Sequence, residues 1–292
     1  MAIVGQTTAS RSFRQTRLVM TGLLTLFLIY TLLPLYYLAV SATKSNADLF
    51  STFGLWFGPN LNLVENIREL ASFEGGIFGR WLWNSTWYAA VASTAAALMA
   101  TAAGYALAKF DFPGRQAVFA IILGAIMVPT TALVIPIFLM LSGVGLVDTA
   151  WAVILPSTVF PLGVYIMRVY AEGAIPDELL DAARVDGAGE LRIFVTVALR
   201  LVAPGFVTVL LLSFTAVWNN YFLPLVVLTT PERFTLTVGL SNWYQLASIG
   251  SGGQALFSLV LTGTLLGIVP VAVTFLALQR FWQGGLSAGS VK

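Results

Sequence analysis

The chain has 292 residues, of which 58% are hydrophobic and only 10% are charged, with a net charge of +2. Soluble domains carry about 25% charged residues, and the deficit here extends along the whole chain. The small positive charge is scattered, which argues against a nucleic-acid partner. The chain has no Cys and no His, so disulfides, Cys-ligated metals and the commonest general base are excluded. Most hydrolase and metalloenzyme classes are excluded with them.

Six long stretches contain no Asp, Glu, Lys or Arg, and each can cross a bilayer, which takes about 20 apolar residues. They are residues 18–43, 81–108, 116–147, 149–167, 201–231 and 234–279. The last stretch begins with a segment rich in Gly, Ser, Asn and Gln, residues 235–254, so we expect one span in it rather than two. The sequence therefore predicts an all-α membrane bundle with six spans, at about 18–40, 84–107, 117–141, 149–167, 201–228 and 257–279.

The first stretch has an alternative interpretation as a cleaved signal peptide, because Ala39-Val40-Ser41 loosely resembles a cleavage site. Its apolar run is longer than the 7 to 15 residues typical of a signal core. We therefore expect a retained helix.

Basic residues near the ends of spans favour the cytoplasmic side. With the N-terminus inside, the inner side carries Arg11, Arg14, Arg17, Lys109, Arg115, Arg168, Arg184, Arg192, Arg200, Arg280 and Lys292. The outer side carries Lys44, Arg68, Arg80 and Arg233. This bias predicts that the tails 1–17 and 281–292 are both cytoplasmic.

The cytoplasmic segment between the fourth and fifth spans has the pattern of two short helices and a bend. Pro176 suits a helix start, and the carboxylates of Asp177 and Glu178 complement the helix dipole in the first turn. Gly187 tolerates the left-handed geometry of a helix end, so we expect the first helix to stop near Asp186. This predicts a helix–turn–helix over residues 175–200, either as a docking element or as a simple bent connection.

This segment resembles the coupling loop of binding-protein-dependent ABC importers. The pattern of that family is Glu-Ala-Ala, three residues, Gly, nine residues, Ile, one residue and Leu-Pro. Here Asp181-Ala182-Ala183 fills the first three positions, and Gly187 stands at the required spacing. The remaining positions hold Val197 for Ile, Leu199 for Leu and Arg200 for Pro, with Pro204-Gly205 following.

Further segments resemble the smaller permease subunit of maltose-type carbohydrate importers, in the order found in that family. They are residues 104–110 with 112–115, residues 218–225, residues 234–236 with 239–240, and the tail 279–281 with 284–292. The resemblance thus covers nearly the whole chain and implies a carbohydrate importer. Since the family includes importers of glycerol phosphates, that solute is the alternative.

The resemblance implies that ATP is hydrolysed by another subunit. A phosphate-binding loop requires Gly-Lys-Ser/Thr, and none of Lys44, Lys109 and Lys292 has that context. The implied partners are a second permease, two ATP-binding-cassette ATPase subunits that use ATP and Mg, and an extracytoplasmic solute-binding protein. The implied location is the cytoplasmic (inner) membrane of a prokaryote. No cofactor or metal is expected on this chain, and a homodimeric permease remains open.

Two groups of residues are candidate sites. The resemblance assigns ATPase coupling to Asp181, Ala182, Ala183, Asp186, Gly187 and Ala188. For the solute pathway the candidates are Trp218, Asn219, Asn220 and Tyr221, because amides and aromatic rings recognise sugars and polar groups in spans face the bundle or a cavity. Hydrogen bonding between helices is the alternative role for the same residues.

Prolines inside the apolar runs predict kinked helices, which suit a gated pathway. They are Pro34, Pro129, Pro136, Pro156, Pro161, Pro204, Pro224 and Pro270. Two other functions fit the sequence less well. An ion-driven transporter needs ionisable residues inside its spans, and a membrane-embedded enzyme needs clustered His, Asp or Glu, whereas the six stretches contain none of these.

Overall fold

The computed structural model describes residues 5–249 and 256–288, and side chains within 16–249, 256–279 and Phe281. Every regular element in these ranges is helical. The α-helices are α1 (Gly5–Ala42), α2 (Asn46–Ser51), α3 (Leu63–Ser72), α4 (Ile77–Lys109), α5 (Arg115–Ile126), α6 (Val134–Gly143), α7 (Ala150–Ser157), α8 (Pro161–Ala174), α9 (Asp177–Val185), α10 (Glu190–Ile193), α11 (Leu199–Leu201), α12 (Ala203–Trp218), α13 (Phe222–Val227), α14 (Leu236–Ile249) and α15 (Leu256–Ala288). Short 3-10 turns span Phe73–Gly75, Thr130–Leu133 and Pro231–Arg233, and a π-helical turn spans Phe194–Ala198.

Helix length and hydropathy identify the parts that can cross a membrane. Four helical stretches qualify alone: Thr16–Ala42, Ile77–Lys109, Ala150–Ala174 and Leu256–Gln279. Two bent pairs qualify if each counts as one span: Arg115–Ile126 with Thr130–Gly143, at 96°, and Glu190–Leu201 with Ala203–Trp218, at 80°. The protein is therefore an all-helical membrane bundle with four to six candidate spans.

Three predicted spans differ from the helices. The third, 117–141, is not straight: it bends by 96° after Ile126, where Pro129 cannot donate a backbone hydrogen bond. The fifth, 201–228, is interrupted between Trp218 and Phe222. The helix of the second, 84–107, already begins at Ile77, because apolar composition marks the hydrophobic part of a helix and not its first turns.

The predicted tails are partly helical. Helix α1 begins at Gly5 and so includes most of the tail 1–17, while α15 continues to Ala288. Residues 289–292 of the C-terminal tail lie outside the described residues. Helix α14 has 14 residues, which is too short to cross a bilayer, in line with the prediction that residues 235–254 do not form a span.

The described chain divides into two compact units. Of the described residues, the first unit comprises 5–70, 246–249 and 256–265, and the second comprises 71–245 and 266–288.

Polar contacts after α1 stabilise the first unit. Lys44 is 1% exposed, and its Nζ donates to the Phe53 carbonyl at 2.8 Å. The Asn66 side chain, also buried, donates to the carbonyls of Ala42 and Lys44, each at 2.9 Å. These bonds satisfy backbone groups at a helix end that has no intrahelical partner for them.

Helix α4 is central to the second unit and packs against α7, α8 and α12. Its buried side includes Ala89, Ala92, Ala96, Ala97, Ala100 and Gly104. A Cβ on Gly104 would lie 2.6 Å from Met167 Cβ, and one on Gly163 would lie 2.8 Å from Val209 Cγ1. Small residues thus allow the helices to approach closely, as is typical of membrane bundles.

At its N-terminal end, α4 binds the loop before α14 through side-chain hydrogen bonds. Trp81 Nε1 donates to the Pro231 carbonyl at 2.8 Å, Asn84 Nδ2 donates to the Glu232 and Phe234 carbonyls at 2.9 and 3.0 Å, and Ser85 Oγ accepts from the Leu236 N–H at 2.7 Å. Because the partners of these side chains are backbone groups of the loop and of Leu236, the first residue of α14, the loop is fixed to α4.

Asp148 connects this loop to the turn between α6 and α7. Its Oδ1 accepts from the N–H groups of Thr229 and Thr230 at 2.9 and 3.0 Å, and its Oδ2 lies 2.8 Å from Arg233 Nη1. Partial burial alone raises the pKa of Asp148, but these hydrogen bonds and the Arg233 charge outweigh that effect and lower the pKa from 3.8 to about 2. Asp148 is therefore an ionised anchor.

Candidate functional site

The predicted helix–turn–helix of residues 175–200, here called the inner segment, begins with α9 and ends its first helix as expected. Gly187 has φ +80°. Its N–H donates to the Arg184 carbonyl, and the Ala188 N–H donates to the Ala183 carbonyl, both at 3.0 Å. These two bonds form a Schellman motif, so the prediction of a left-handed helix end at this glycine is confirmed.

One arginine connects the two helices of the inner segment. Arg184 lies 2.8 Å from Asp181 through Nη1 and 2.7 Å from Glu190 through Nε. Each of these exposed ion pairs contributes about 0–1 kcal/mol. The Asp181 contact lies within α9, whereas the Glu190 contact joins α9 to α10.

The inner side of this segment is part of the helical core. Ile175, Leu180 and Ile193 are each at most 2% exposed and belong to the same buried cluster as Met167 of α8. An ion pair adds to this packing at the start of α9, where Asp177 meets Lys109, the last residue of α4. The inner side of the segment is therefore packed against the helical bundle.

The outer face of the inner segment, defined as Asp181, Ala182, Val185, Asp186, Gly187 and Leu191, is exposed. Val185 is 88% exposed and Leu191 is 78% exposed. Ala183 and Ala188, which belong to the predicted coupling residues, instead pack against the buried cluster.

The sequence prediction missed Val185 and Leu191. The signal was present, because Val185 follows the buried Leu180 by five residues and so lies on the opposite side of a 3.6-residue helix. Exposed apolar residues next to acidic ones are typical of a surface that binds a partner.

The segment joins the next long helix after a π-helical turn and an 80° bend. The bend lies at Val202, and Pro204 occupies the first turn of α12, where its missing N–H costs nothing. With Arg200 in place of the family's Pro, the exit of the segment is helical, since Arg200 lies within α11.

A cavity of about 860 Å³ lies within the second unit where three helix interruptions meet. The interruptions are the α5–α6 bend, the α7–α8 junction at 158–160 and the α12–α13 junction at 219–221. Irregular backbone at membrane depth is tolerated only where protein buries it or a cavity borders it. Discontinuous helices of this kind are typical of transport sites.

The cavity is mostly apolar and none of its described lining residues is charged. Its polar lining residues are Thr130, Thr131, Ser157, Ser213, Asn219, Asn220 and Tyr221. The first four were not predicted, although Pro129, Pro156 and Pro161 in the sequence indicated the breaks beside the first three.

Three of the four predicted pathway residues line this cavity. Trp218 does not: it is 6% exposed and its ring stacks on Phe214 at 5.9 Å. Asn220 Oδ1 accepts from the Leu223 N–H at 3.4 Å, which is a structural role. The side-chain amide of Asn219 is exposed and has no hydrogen-bond partner among the described residues.

The third residue, Tyr221, has its hydroxyl 3.1 Å from Ser241 Oγ. Across the described part of the chain, no group of three Asp or Glu side chains is placed to hold a metal ion. The polar chemistry of the cavity is therefore that of amides and hydroxyls.

Comparison with known proteins identifies the family of the chain. The model of the family "Binding-protein-dependent transport system inner membrane component" matches residues 100–283. The arabinooligosaccharides transport system permease protein AraQ of Halalkalibacterium halodurans is 34% identical over 96% of this chain and 99% of its own. The maltodextrin transport system permease protein MdxG of Bacillus subtilis is 31% identical over 92% of this chain and 94% of its own.

A further relative is an osmoprotective compounds uptake permease protein of Synechocystis, 34% identical over 93% of this chain and 90% of its own. Among solved structures, a bacterial ABC transporter involved in the import of the acidic polysaccharide alginate has the same fold, with a TM-score of 0.78 and 24% identity over 93% of this chain and 98% of its own. The family acts in transport rather than catalysis. The chain belongs to the family of inner membrane components of binding-protein-dependent transport systems.

Proposed function

We propose that this protein is a permease subunit of an ABC importer and forms half of a translocation pathway for an uncharged carbohydrate. The observation that carries the proposal is the construction of the inner segment. One side is buried in the transmembrane core through Leu180 and Ile193, and the other presents Val185, Gly187 and Leu191 to solvent. This is the arrangement that a rigid lever between a membrane bundle and a soluble partner requires.

The partner at this face is a separate ATPase. The outer face enters a groove of one ATPase subunit, and closure of the ATPase dimer on ATP and Mg moves it. Core residues transmit the displacement to α8, and the Lys109–Asp177 contact transmits it to α4. The transmembrane helices then exchange between two packed arrangements, which is a two-state change biased by ATP.

The cavity supports an uncharged solute. Its polar groups are amides and hydroxyls, which hydrogen-bond to sugar hydroxyls, and it lacks a cation to pair with a phosphate. Two relatives are named for arabinooligosaccharides and maltodextrin. A glycerol phosphate is therefore not favoured, and the uncharged lining equally disfavours an ion-driven transporter.

The topology proposed is six spans, with each bent pair counted as one and the inner segment as a cytoplasmic coupling element between spans four and five. Both termini are cytoplasmic. The distribution of basic residues supports this, since Arg184, Arg192 and Arg200 lie in the inner segment. The location is the inner membrane of a prokaryote.

The complete transporter contains a second, different permease, two ATPase subunits and an extracytoplasmic solute-binding protein. The cavity in this chain is open, with Met140 and Phe222 among its exposed lining residues, which supports a facing permease that closes the other half. Co-purification of differently tagged copies distinguishes this from a homodimer, because only a homodimer retains both tags.

The test is uptake into proteoliposomes that contain the complete complex, ATP and a solute-binding protein. The panel consists of an arabino-oligosaccharide, a maltodextrin, an oligo-uronate and glycerol phosphate. We expect ATP-dependent uptake of a neutral oligosaccharide only. Uptake restricted to glycerol phosphate would refute the carbohydrate assignment, and uptake restricted to the oligo-uronate would refute an uncharged solute. Uptake of a solute without any ATPase subunit would refute the importer assignment.

A further inference from the structure

A basic pocket of about 930 Å³ lies where the start of α5 approaches α8. Its lining consists of residues 111–117 and Arg168, so guanidinium groups from two different helices border it. We propose that this pocket binds the phosphate headgroup of an anionic phospholipid. The pocket is separate from the carbohydrate cavity and from the outer face of the inner segment.

The depth of Arg168 fits a lipid headgroup. It lies in the apolar stretch Ala150–Ala174. Helices α7 and α8, with the junction at 158–160 between them, separate Arg168 from Ala150. At the helical rise of 1.5 Å per residue this separation is about 27 Å, close to the hydrocarbon thickness of about 30 Å. Trp151, which is 49% exposed, marks the opposite interface. The guanidinium is thus at the level of the lipid phosphates.

Arg168 is held in position but is not neutralised. Its guanidinium carbon lies 3.7 Å from the centroid of the Phe119 ring, and Phe119 stacks on Tyr165 at 6.2 Å. This aromatic support fixes the side chain between α5 and α8. Within the described residues no carboxylate pairs with it. Unpaired charges in membrane-spanning helices are costly and therefore mark candidate functional sites.

The other guanidinium, Arg115, retains free donors. Its Nη1 lies 2.6 Å from Asp111, the only acidic lining residue, whose side chain is 99% exposed. An ion pair with such an exposed carboxylate contributes about 0–1 kcal/mol to stability. A guanidinium has five N–H donors in a fork that matches phosphate oxygens. Together with Arg168 it gives the lining a net positive charge.

The surface beyond the pocket favours a lipid over a soluble phosphate. Val118 and Ile121 follow the pocket along α5 and are 43% and 72% exposed. They form an apolar track that leads from the pocket towards the middle of the bilayer. An acyl chain attached to a bound phosphate would cover this track, and basic pockets between helices at this depth suit anionic headgroups.

The test uses the purified transporter complex in nanodiscs of phosphatidylcholine with added phosphatidylglycerol. Native mass spectrometry counts the phosphatidylglycerol that the complex retains. We expect Arg115→Gln with Arg168→Gln to weaken retention by about tenfold, and Arg200→Gln, which removes an exposed cation elsewhere, to leave it unchanged. Asp111→Asn removes the opposing carboxylate and strengthens retention.

Two results would overturn the proposal. One is equal phosphatidylglycerol retention in the double variant and the Arg200→Gln control, with Asp111→Asn also unchanged. The other is complete displacement of phosphatidylglycerol by millimolar inorganic phosphate, which would identify a soluble anion as the ligand. If the double variant does not fold, Asp111→Asn alone decides the proposal. Asp111→Asn keeps both cations of the pocket, so unchanged phosphatidylglycerol retention in it would contradict the proposal.

Discussion

Lys109 and Asp177 join the end of α4 to the first residue of α9, with Lys109 Nζ 2.7 Å from Asp177 Oδ1. The Lys109 side chain is only 7% exposed, whereas that of Asp177 is 76% exposed. The contact therefore lets a displacement of α9 act directly on a helix that packs against α7, α8 and α12.

Asp177→Asn should lower the stability of the complex by about 1 kcal/mol, because it leaves the largely buried ammonium of Lys109 without its charged partner. The measurement is thermal unfolding in detergent. Glu178→Gln is the matched control, since Glu178 is the exposed neighbour in the same first turn of α9. Equal unfolding temperatures for the two variants would show that the contact contributes nothing.

Asp148→Asn should destabilise the loop before α14 in a pH-dependent way. The folded-state pKa of about 2 lies below the ordinary 3.8, so the carboxylate stabilises the fold fully above pH 3.8. Its contribution is lost as the pH falls towards 2. We expect about 1–2 kcal/mol at neutral pH, allowing for the half-exposed Arg233.

The measurement for Asp148 is the unfolding temperature of wild type and variant from pH 7 to pH 3, with Glu232→Gln as the control from the same loop. The difference between wild type and Asp148→Asn should persist at pH 5 and shrink below pH 4. A difference that grows on acidification would contradict the lowered pKa.

Gly239→Ala should be strongly destabilising. A Cβ there would lie 2.2 Å from Trp81 Cε3, and Trp81 is 2% exposed and in contact with Trp243 at a centroid distance of 4.6 Å. Overpacking of this kind costs about 1–3 kcal/mol. Gly79→Ala, two residues before Trp81 in α4 and with no atom within 4 Å of the added Cβ, should be neutral or stabilising.

A double variant tests whether the Trp81 contact is the cause. Trp81→Phe provides space for the added methyl group, so the loss from Gly239→Ala should be smaller in the Trp81→Phe background. Thermal unfolding of the four proteins measures this interaction. Additive losses would contradict the close approach of Gly239 and Trp81.

The sequence could predict the membrane class and the helix end at Gly187, since both depend on local chemistry: charge-free runs and one left-handed glycine. It could not predict that the span 117–141 bends by 96°. Apolar composition is the same in a straight and a bent helix. Pro129 indicates a kink, but its angle depends on which neighbouring helices accept the two halves.

The candidate site shows the same limit. The charge-free run pointed to residues 219–221 as pathway candidates, and the structure places them along the cavity. It also pointed to Trp218, which is buried. A charge-free run does not show in which direction each of its side chains faces. Ser157 also lines the cavity. It does so because α7 packs against helices that are distant in the sequence, and no local sequence pattern predicts that packing.

Alanine substitutions of Asn219 and Asn220 should distinguish a residue that contacts the solute from one that stabilises helix packing. Asn219→Ala removes a free amide from the cavity, so uptake should show a raised KM at unchanged stability. Asn220→Ala removes the acceptor of the Leu223 N–H, which should lower the unfolding temperature. Uptake kinetics and thermal unfolding of both variants decide this, and identical profiles for the two would contradict the distinction.

The coupling function of the inner segment is the central claim, and Gly187→Asn tests it most directly. Asn tolerates the left-handed conformation of Gly187, and a Cβ there meets no atom of this chain within 4 Å. The substitution therefore preserves the fold and adds a side chain to the outer face. Gly189→Asn is the control, because residue 189 caps α10 at φ −72°, where Asn is favourable.

The measurement is ATPase activity and uptake by the complete complex in proteoliposomes, with and without loaded binding protein. For Gly187→Asn we predict normal membrane insertion and a roughly tenfold fall in solute moved per ATP, equivalent to about 1.4 kcal/mol of lost coupling, while Gly189→Asn resembles wild type. Wild-type stimulation and uptake in Gly187→Asn would contradict the account.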